Sequence, residues 1–284
     1  MADRAAPHLG PRAGRQALTT TVEAYLLLAS ARVRSDWQYR TSFAVFLFAS
    51  LVINVFDFVG IAVLFTKTET LGDWSLDQVA FLYGAAGLCF GIGDLLVGSV
   101  ENLSTKIKDG SFDVLLTRPV NALVNLTASE FTLRRLGKIG QAAAIFAIAL
   151  AVNDIDWTPG RGVAVIVMLG AGSVIASATW VITASIAFWL INTREIGNAF
   201  TYGGGLAISY PVHVFEQWLR VLLTFIFPLV FVSYLPALYI LGIDSPLALP
   251  DFLRWSSPVV AGAMVLVATR VWRRGLRRYR STGS

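Results

Sequence analysis

Four apolar stretches, Phe43 to Phe65, Val79 to Val100, Val163 to Ile191 and Val221 to Leu241, are each long enough to cross a lipid bilayer. A helix rises about 1.5 Å per residue and the hydrocarbon core is about 30 Å thick, so roughly 20 apolar residues suffice. Such runs leave helices as the only economical fold, because no water is present to satisfy free backbone groups in lipid. Pro228 and Pro236 interrupt the fourth stretch, which therefore reads as a kinked or re-entrant segment. Two weaker runs complete the set. Ile139 to Val152 has to be extended back past Lys138 and Arg135, and Val259 to Val271 is short unless it begins near Phe252. Basic side chains that snorkel to the interface make both workable.

The expectation is an all-α membrane protein with six transmembrane helices and both termini in the cytoplasm. Composition agrees, with 55% hydrophobic and only 14% charged residues, where soluble domains carry roughly 25% charged. The first 17 residues, rich in Ala, Pro, Gly and Arg, read as a disordered tail, and 18–284 as one transmembrane domain. The first apolar run starts only at Phe43, so no cleavable signal peptide of the usual form is expected.

The net charge of +5 does not point to nucleic acid, because the cations sit in loops that flank apolar runs. With six spans, the three outer loops hold Lys67, Arg161 and Arg254 against seven acids, and the inner segments hold 20 Lys and Arg against nine acids. That asymmetry has the sign of the positive-inside rule. Cys89 is the only cysteine and His8 and His213 stand apart, so neither a disulfide framework nor a metal site is expected.

Ahead of the first span, Thr20 and Glu23 form a capping box, and Leu18, Val22, Tyr25, Leu26, Ala29, Val33 and Trp37 recur at helical spacing beside Arg32, Arg34 and Arg40. This predicts an amphipathic helix on the cytoplasmic membrane surface, with packing on soluble protein as the alternative. Between spans two and three, Lys106 and Lys108 before Gly110 suit a helix C-terminus, and Pro119 ends the next turn. Phe112, Leu115 and Leu116 lie at i, i+3 and i+4, with Asp113 and Arg118 on other faces. Two readings fit equally: a helix that docks into a partner's groove, or one that rests on its own bundle.

Asp57 and Asp94 lie inside spans, where an ionisable side chain is a functional hypothesis by default. Gly84, Gly87, Gly91, Asp94 and Gly98 fall on one narrow helical face, which allows close approach of another helix. Asp57 shares a face with Ser50 and Asn54, and Gly170, Ser173, Ser177 and Ala184 suggest a second packing face. Gly91-Ile-Gly-Asp94, Phe56-Asp57 and Pro236-Ala-Leu238 match motifs of intramembrane aspartyl proteases, making Asp57 with Asp94 a rival reading. Straight helices would leave the two carboxylates roughly 10 Å apart in depth, whereas such a dyad must share a proton. A non-transporting membrane scaffold is the third class. Arg270, Arg273, Arg274, Arg277 and Arg278 form a basic stripe at the exit of the last span, suited to anionic lipid headgroups.

The stretch Ile107-Lys-Asp-Gly-Ser-Phe-Asp-Val-Leu-Leu-Thr-Arg-Pro119 and the ending Trp272-Arg-Arg-Gly-Leu-Arg-Arg-Tyr-Arg-Ser-Thr-Gly283 resemble the signatures of bacterial ABC-transporter permeases of the type 2, exporter-like superfamily. Tyr210-Pro211, Pro228 and Pro236 are similar to that family's prolines near its fifth span. The resemblance implies a multi-pass subunit of the bacterial cytoplasmic membrane that exports a substrate, pairs with a second permease (the same chain or a paralogue) and binds two separate ATPase subunits. It makes Lys108, Asp109, Gly110, Phe112, Asp113, Leu115, Leu116, Arg118 and Pro119 the coupling helix that meets the ATPase, and Asp57 and Asp94 candidates for translocation or gating. The chain contains no Gly-x-x-x-x-Gly-Lys-Ser/Thr loop, so ATP and magnesium are expected on the partner and no catalytic residue or cofactor on this chain.

Overall fold

The computed structural model describes residues 23–34, 40–67, 70–190, 193–246 and 250–280. They form helices α1 (23–34), α2 (Arg40–Phe65), α3 (Leu76–Val97), α4 (Leu103–Lys108), α5 (Ser111–Leu116), α6 (Ala122–Ser129), α7 (Leu136–Val152), α8 (Pro159–Ser185), α9 (Arg194–Ala207), α10 (Gln217–Val221), α11 (Tyr234–Leu241) and α12 (Ser257–Arg278). Among the described residues there is no strand, only an isolated bridge between Leu71 and Trp74. Two continuous helical stretches, Leu76–Lys108 and Pro159–Phe188, are long and apolar enough to cross a membrane.

The central helix α3 is buried on every side from Val79 to Ala86, which is why its sequence shows almost no polar face. Ser75 and Gln78 start it with a reciprocal capping box. Its glycine face meets α7 in antiparallel register, where lost side chains let the backbones close. A Cβ on Gly84 would stand 2.7 Å from the Phe146 backbone, one on Gly87 2.9 Å from the Ala142 Cβ, and one on Gly91 2.8 Å from Ile139 Cγ1. The contact with α8 uses Gly172 rather than Gly170: a Cβ on Gly172 would meet Cys89 Sγ and Val232 O at 2.7 Å, whereas Gly170 has open space around it. Ser173 and Ser177 turn their hydroxyls back to the carbonyls of Leu169 and Ser173, as expected of packing residues in a helix.

Two weak spans settle differently from their sequence outline. α7 begins at Leu136, with Arg135 just ahead of it in a 3₁₀ turn, so the cation is paired rather than stretched to the interface, as shown below. α12 begins at Ser257, and Phe252 belongs to a separate 3₁₀ turn over Asp251–Trp255 just ahead of it.

The stretch Val221 to Leu241 is not one crossing helix. Gln217–Ile226 and Leu229–Leu241 meet at a 73° bend, and Pro228 stands in the break with ψ 57, outside helical geometry. Pro236 causes no kink, because it falls in the first turn of α11, where its missing N–H costs no hydrogen bond. Both ends of the bent pair lie where α3 and α8 begin. Just before it, His213 hydrogen-bonds Gly72 O at 2.7 Å and Tyr234 Oη at 2.9 Å. At its far end, Gly242 and Tyr239 approach Arg161 and Gly160 in the first turn of α8. Midway, Phe227 stacks on Phe200 of α9 with ring centres 4.2 Å apart, and Val232 reaches Gly172. The pair therefore dips into the bundle and returns to the same end, the re-entrant alternative. The passage between the two ends is made by α9, which runs from a cleft shared with Glu101 and Ser104, past Phe90 at Gly205, to the turn holding His213.

Helix α1 carries Leu26 and Leu27 outward at 59% and 69% exposure, while Tyr25 donates a hydrogen bond to Leu96 O at the end of α3 (3.0 Å). Apolar residues facing away from protein suit an interfacial helix. Thr20, Leu18, Val22 and Trp37 lie outside the described residues.

Candidate functional site

The candidate site gathers at the end of the bundle where α3, α8 and α12 finish. After α3 the chain continues through a 3₁₀ turn, Gly98–Asn102, into α4 without leaving the helical path. Gly110 then reverses it at φ +72, a left-handed conformation that disfavours any side chain. Asp109 stiffens the elbow by accepting from Ser111 N at 2.9 Å and Ser111 Oγ at 2.6 Å. Those bonds, the hydroxyl's foremost, hold the Asp109 carboxyl below its ordinary value.

Helix α5 is seated through Phe112, which is fully buried. Its ring packs edge-on against Tyr279 at 5.1 Å and tilted against Phe188 at 5.8 Å, and Phe188 in turn meets Trp272 at 5.3 Å. The Tyr279 hydroxyl donates to Asp113 Oδ1 at 2.9 Å. Burial above all, then this bond to a carboxylate, pushes the Tyr279 phenol up to about 12. Leu115 is also buried, and its carbonyl accepts from Asn125 Nδ2 at 3.2 Å while Asn125 Oδ1 accepts from Arg118 at 3.2 Å.

This divides the sequence-predicted apolar face. Phe112 and Leu115 are spent on the chain's own bundle, whereas Leu116 is 42% exposed, together with Val114 at 59%. The outward surface consists of Lys108, Asp109, Val114, Leu116, Thr117, Arg118 and Pro119. A helix of two turns has room for both roles, one per face. Val114, Asn125, Phe188 and Tyr279 were not singled out as site residues; Asn125 offers a signal, as an amide in an otherwise apolar stretch.

Beside this elbow, Asp94 is 7% exposed. Its Oδ1 lies 3.1 Å from Arg135 Nε, an ionic contact with the N–H off the line of a hydrogen bond. Arg135 also donates to Asp94 O at 2.9 Å and approaches Glu101 Oε1 at 4.0 Å, and Tyr202 donates to Glu101 Oε2 at 3.3 Å. Gly98 makes room, since a Cβ there would collide with Asp94 Oδ1. The cluster ties α3, α7 and α9 together. The charged side chain nearest to Asp94 is a guanidinium rather than a second acid, an arrangement that pairs the group with a cation. Asp57 lies on α2, and its side chain is outside the described residues.

Arg274, Arg277 and Arg278 of α12, with Arg280 just past it, border an open basin of about 1130 Å³ floored by Phe188 and Trp189. Arg273 lies on the opposite flank, in a groove between α8 and α12. Arg270, higher on the helix, is exposed. Among the described residues no group of three or more His, Cys, Asp or Glu is placed to hold a metal ion. His213 bridges a carbonyl and a tyrosine, a structural role.

A family model described as ABC-2 family transporter protein matches residues 51–283. No curated protein and no solved structure matches the chain.

Proposed function

The chain belongs to the ABC-2 family of transporter proteins, a multi-pass helical membrane permease of an ABC transporter, and on that premise we propose that it is the exporting subunit of a complex in which ATP is hydrolysed elsewhere. It pairs with a second permease, the same chain or a paralogue, and with two ATPase subunits that carry ATP and magnesium. It crosses the bacterial cytoplasmic membrane six times, by α2, α3, α7, α8, α9 and α12, with both termini and α5 in the cytoplasm. The re-entrant pair faces the outside in this arrangement. Moving Glu216 and Arg220 to the outer side leaves that side acid-rich and keeps the charge asymmetry.

One observation carries this reading: a short helix clamped by aromatic packing at the very end of three long helices, with an apolar and charged face left outward. Such a piece transmits a push as a rigid body, because packed elements shift as units rather than deform. Helix α5 is the coupling helix, and Val114 and Leu116 with Lys108 and Arg118 are its contact to the ATPase. Asp94 acts as a structural lock.

Isolation of the full chain from its native membrane in mild detergent tests the proposal. An ATP-hydrolysing subunit should copurify in fixed ratio, and should be lost on Leu116→Asp. Purification of the intact chain with no such subunit, under conditions that preserve its fold, would overturn it.

A further inference from the structure

Between α8 and α12 runs a groove of about 400 Å³ whose walls are Val174, Ala178 and Val181 on one side and Val265 and Ala268 on the other. The outer surface around it is apolar and open, with Val174 40%, Val265 44% and Leu266 56% exposed. At the end where both helices finish, the walls become polar. Arg273 stands at the mouth, and Asn121, Ala122 and Leu123 of α6 close it. Trp272 also lines the groove with its ring, its Nε1–H being buried away from it.

The charges decide what fits. None of Arg270, Arg273, Arg274, Arg277 and Arg278 forms an ion pair among the described residues. A second copy packed symmetrically over this groove would bring Arg273 toward its own image with no acid among the groove's lining residues, which like charges oppose. A molecule with an apolar chain and an anionic, oxygen-rich head satisfies both parts: methylenes gain by leaving water or a poorly filled groove, and phosphate oxygens accept from the guanidinium N–H groups of Arg273.

We propose that this groove is a binding site for one anionic phospholipid of the cytoplasmic leaflet, with an acyl chain between α8 and α12 and the phosphate on Arg273. The site goes beyond the permease reading and rests on it only for the leaflet that the groove faces. It bears on that reading through α6. Asn121 caps α6 by accepting from Leu123 N at 2.9 Å, and one turn later Asn125 holds the Leu115 carbonyl of α5. A lipid seated against residues 121–123 therefore props the helix that anchors the coupling segment.

Trp272 is the built-in reporter. The purified full chain is titrated in zwitterionic lipid nanodiscs with phosphatidylglycerol brominated on its acyl chains, and the quenching lost in Trp272→Phe is assigned to the groove. Saturable quenching by phosphatidylglycerol, and not by brominated phosphatidylcholine at the same mole fraction, is expected. Arg273→Gln should raise the half-quenching fraction about fivefold, the worth of one arginine at an anionic surface. Arg270→Gln, outside the groove, should raise it less than twofold. Filling the groove by Val265→Trp, or from the opposite wall by Val174→Trp, should abolish saturation while the chain stays monodisperse. Equal quenching by both lipids, or equal loss in the two arginine variants, would reduce the site to a diffuse charged surface and overturn the proposal. Loss of a dimer in both groove-filling variants, without lipid-specific quenching in the wild type, would assign the groove to a second copy and overturn it too.

Discussion

Phe112 and Leu116 sit four residues apart on one short helix and should fail in opposite ways when replaced. Phe112→Ala removes a fully buried ring from between Tyr279 at 5.1 Å and Phe188 at 5.8 Å. Truncating a buried Phe costs about 3–5 kcal/mol. Helix α5 has six residues, and an isolated helix that short has no stability of its own, so the loss falls on local seating. At 1.4 kcal/mol per tenfold, local opening should become more frequent by roughly 10² to 4 × 10³. Hydrogen–deuterium exchange of peptides covering 107–120 should rise accordingly, with α3 and α8 unchanged. Leu116→Asp, by contrast, alters an exposed side chain and should change stability by no more than about 0.5 kcal/mol, yet abolish ATPase copurification. Phe112→Asp would unseat the helix and is a poor probe of docking. Unaltered exchange in Phe112→Ala, or full copurification by Leu116→Asp, would refute the division of the helix into an inner and an outer face.

The ionic lock gives a second test. Asp94→Asn strands a largely buried guanidinium and should destabilise the solubilised protein by about 3 kcal/mol, the low end for a broken buried pair because Glu101 remains near; adding Arg135→Gln should restore at least half in thermal unfolding. Full stability of Asp94→Asn combined with lost transport would show the carboxylate to be functional instead. Gly84→Ala should cost about 1–3 kcal/mol by forcing α7 off α3, whereas Gly60→Ala, with no heavy atom within 4 Å of its Cβ, should be neutral; similar unfolding temperatures for both would refute the close contact. Because burial, and then the bond to Asp113, raise the folded pKa of Tyr279 to about 12 from 10, the seating of the neutral phenol contributes fully below pH 10 and is lost as pH rises through about 12. The tyrosinate absorbance difference between wild type and Tyr279→Phe should titrate in that upper range, and a midpoint near 10 would show the phenol to be free.

Where the sequence carried geometry in its spacing, the structure followed it. Gly84, Gly87 and Gly91 fall on one face by helical arithmetic alone, and a face without side chains has little use except close packing. Burial of Phe112 is a different matter: an amphipathic helix announces that one face is covered, and cannot say whether the cover is its own bundle or another protein. Arg135 before a short apolar run suggested snorkelling, because the acids that pair with it are 41 and 34 positions away in sequence. The re-entrant pair was half-legible through Pro228. Its consequence was not, since α9 bears Arg194, Glu195 and Asn198 and three consecutive glycines, and hydropathy alone passes over it. What makes α9 a passage is its neighbours: Gly205 lies against Phe90, Phe200 against Phe227, and Leu229 against Gly204.

These attachments are unequal, and the inequality has a mechanical consequence. The coupling segment is continuous with α3 through α4, bound to α12 through Tyr279, and bound to the end of α8 through Phe188. Helix α7 is bolted to α3 by Arg135 and by the glycine face. A push on Leu116 thus reaches α3, α7, α8 and α12 as one body. The re-entrant pair breaks its own helix at Pro228, and its first arm is loosely packed, with Phe225 76% and Ile226 63% exposed, so relative motion is expected to concentrate at that break. Disulfide cross-linking of Phe81→Cys with Phe146→Cys, whose rings meet between α3 and α7 at 5.1 Å, should leave ATP-driven transport intact, because those helices move together, whereas Phe200→Cys with Phe227→Cys should block it. Transport that survives the second cross-link would remove the re-entrant pair from the moving parts.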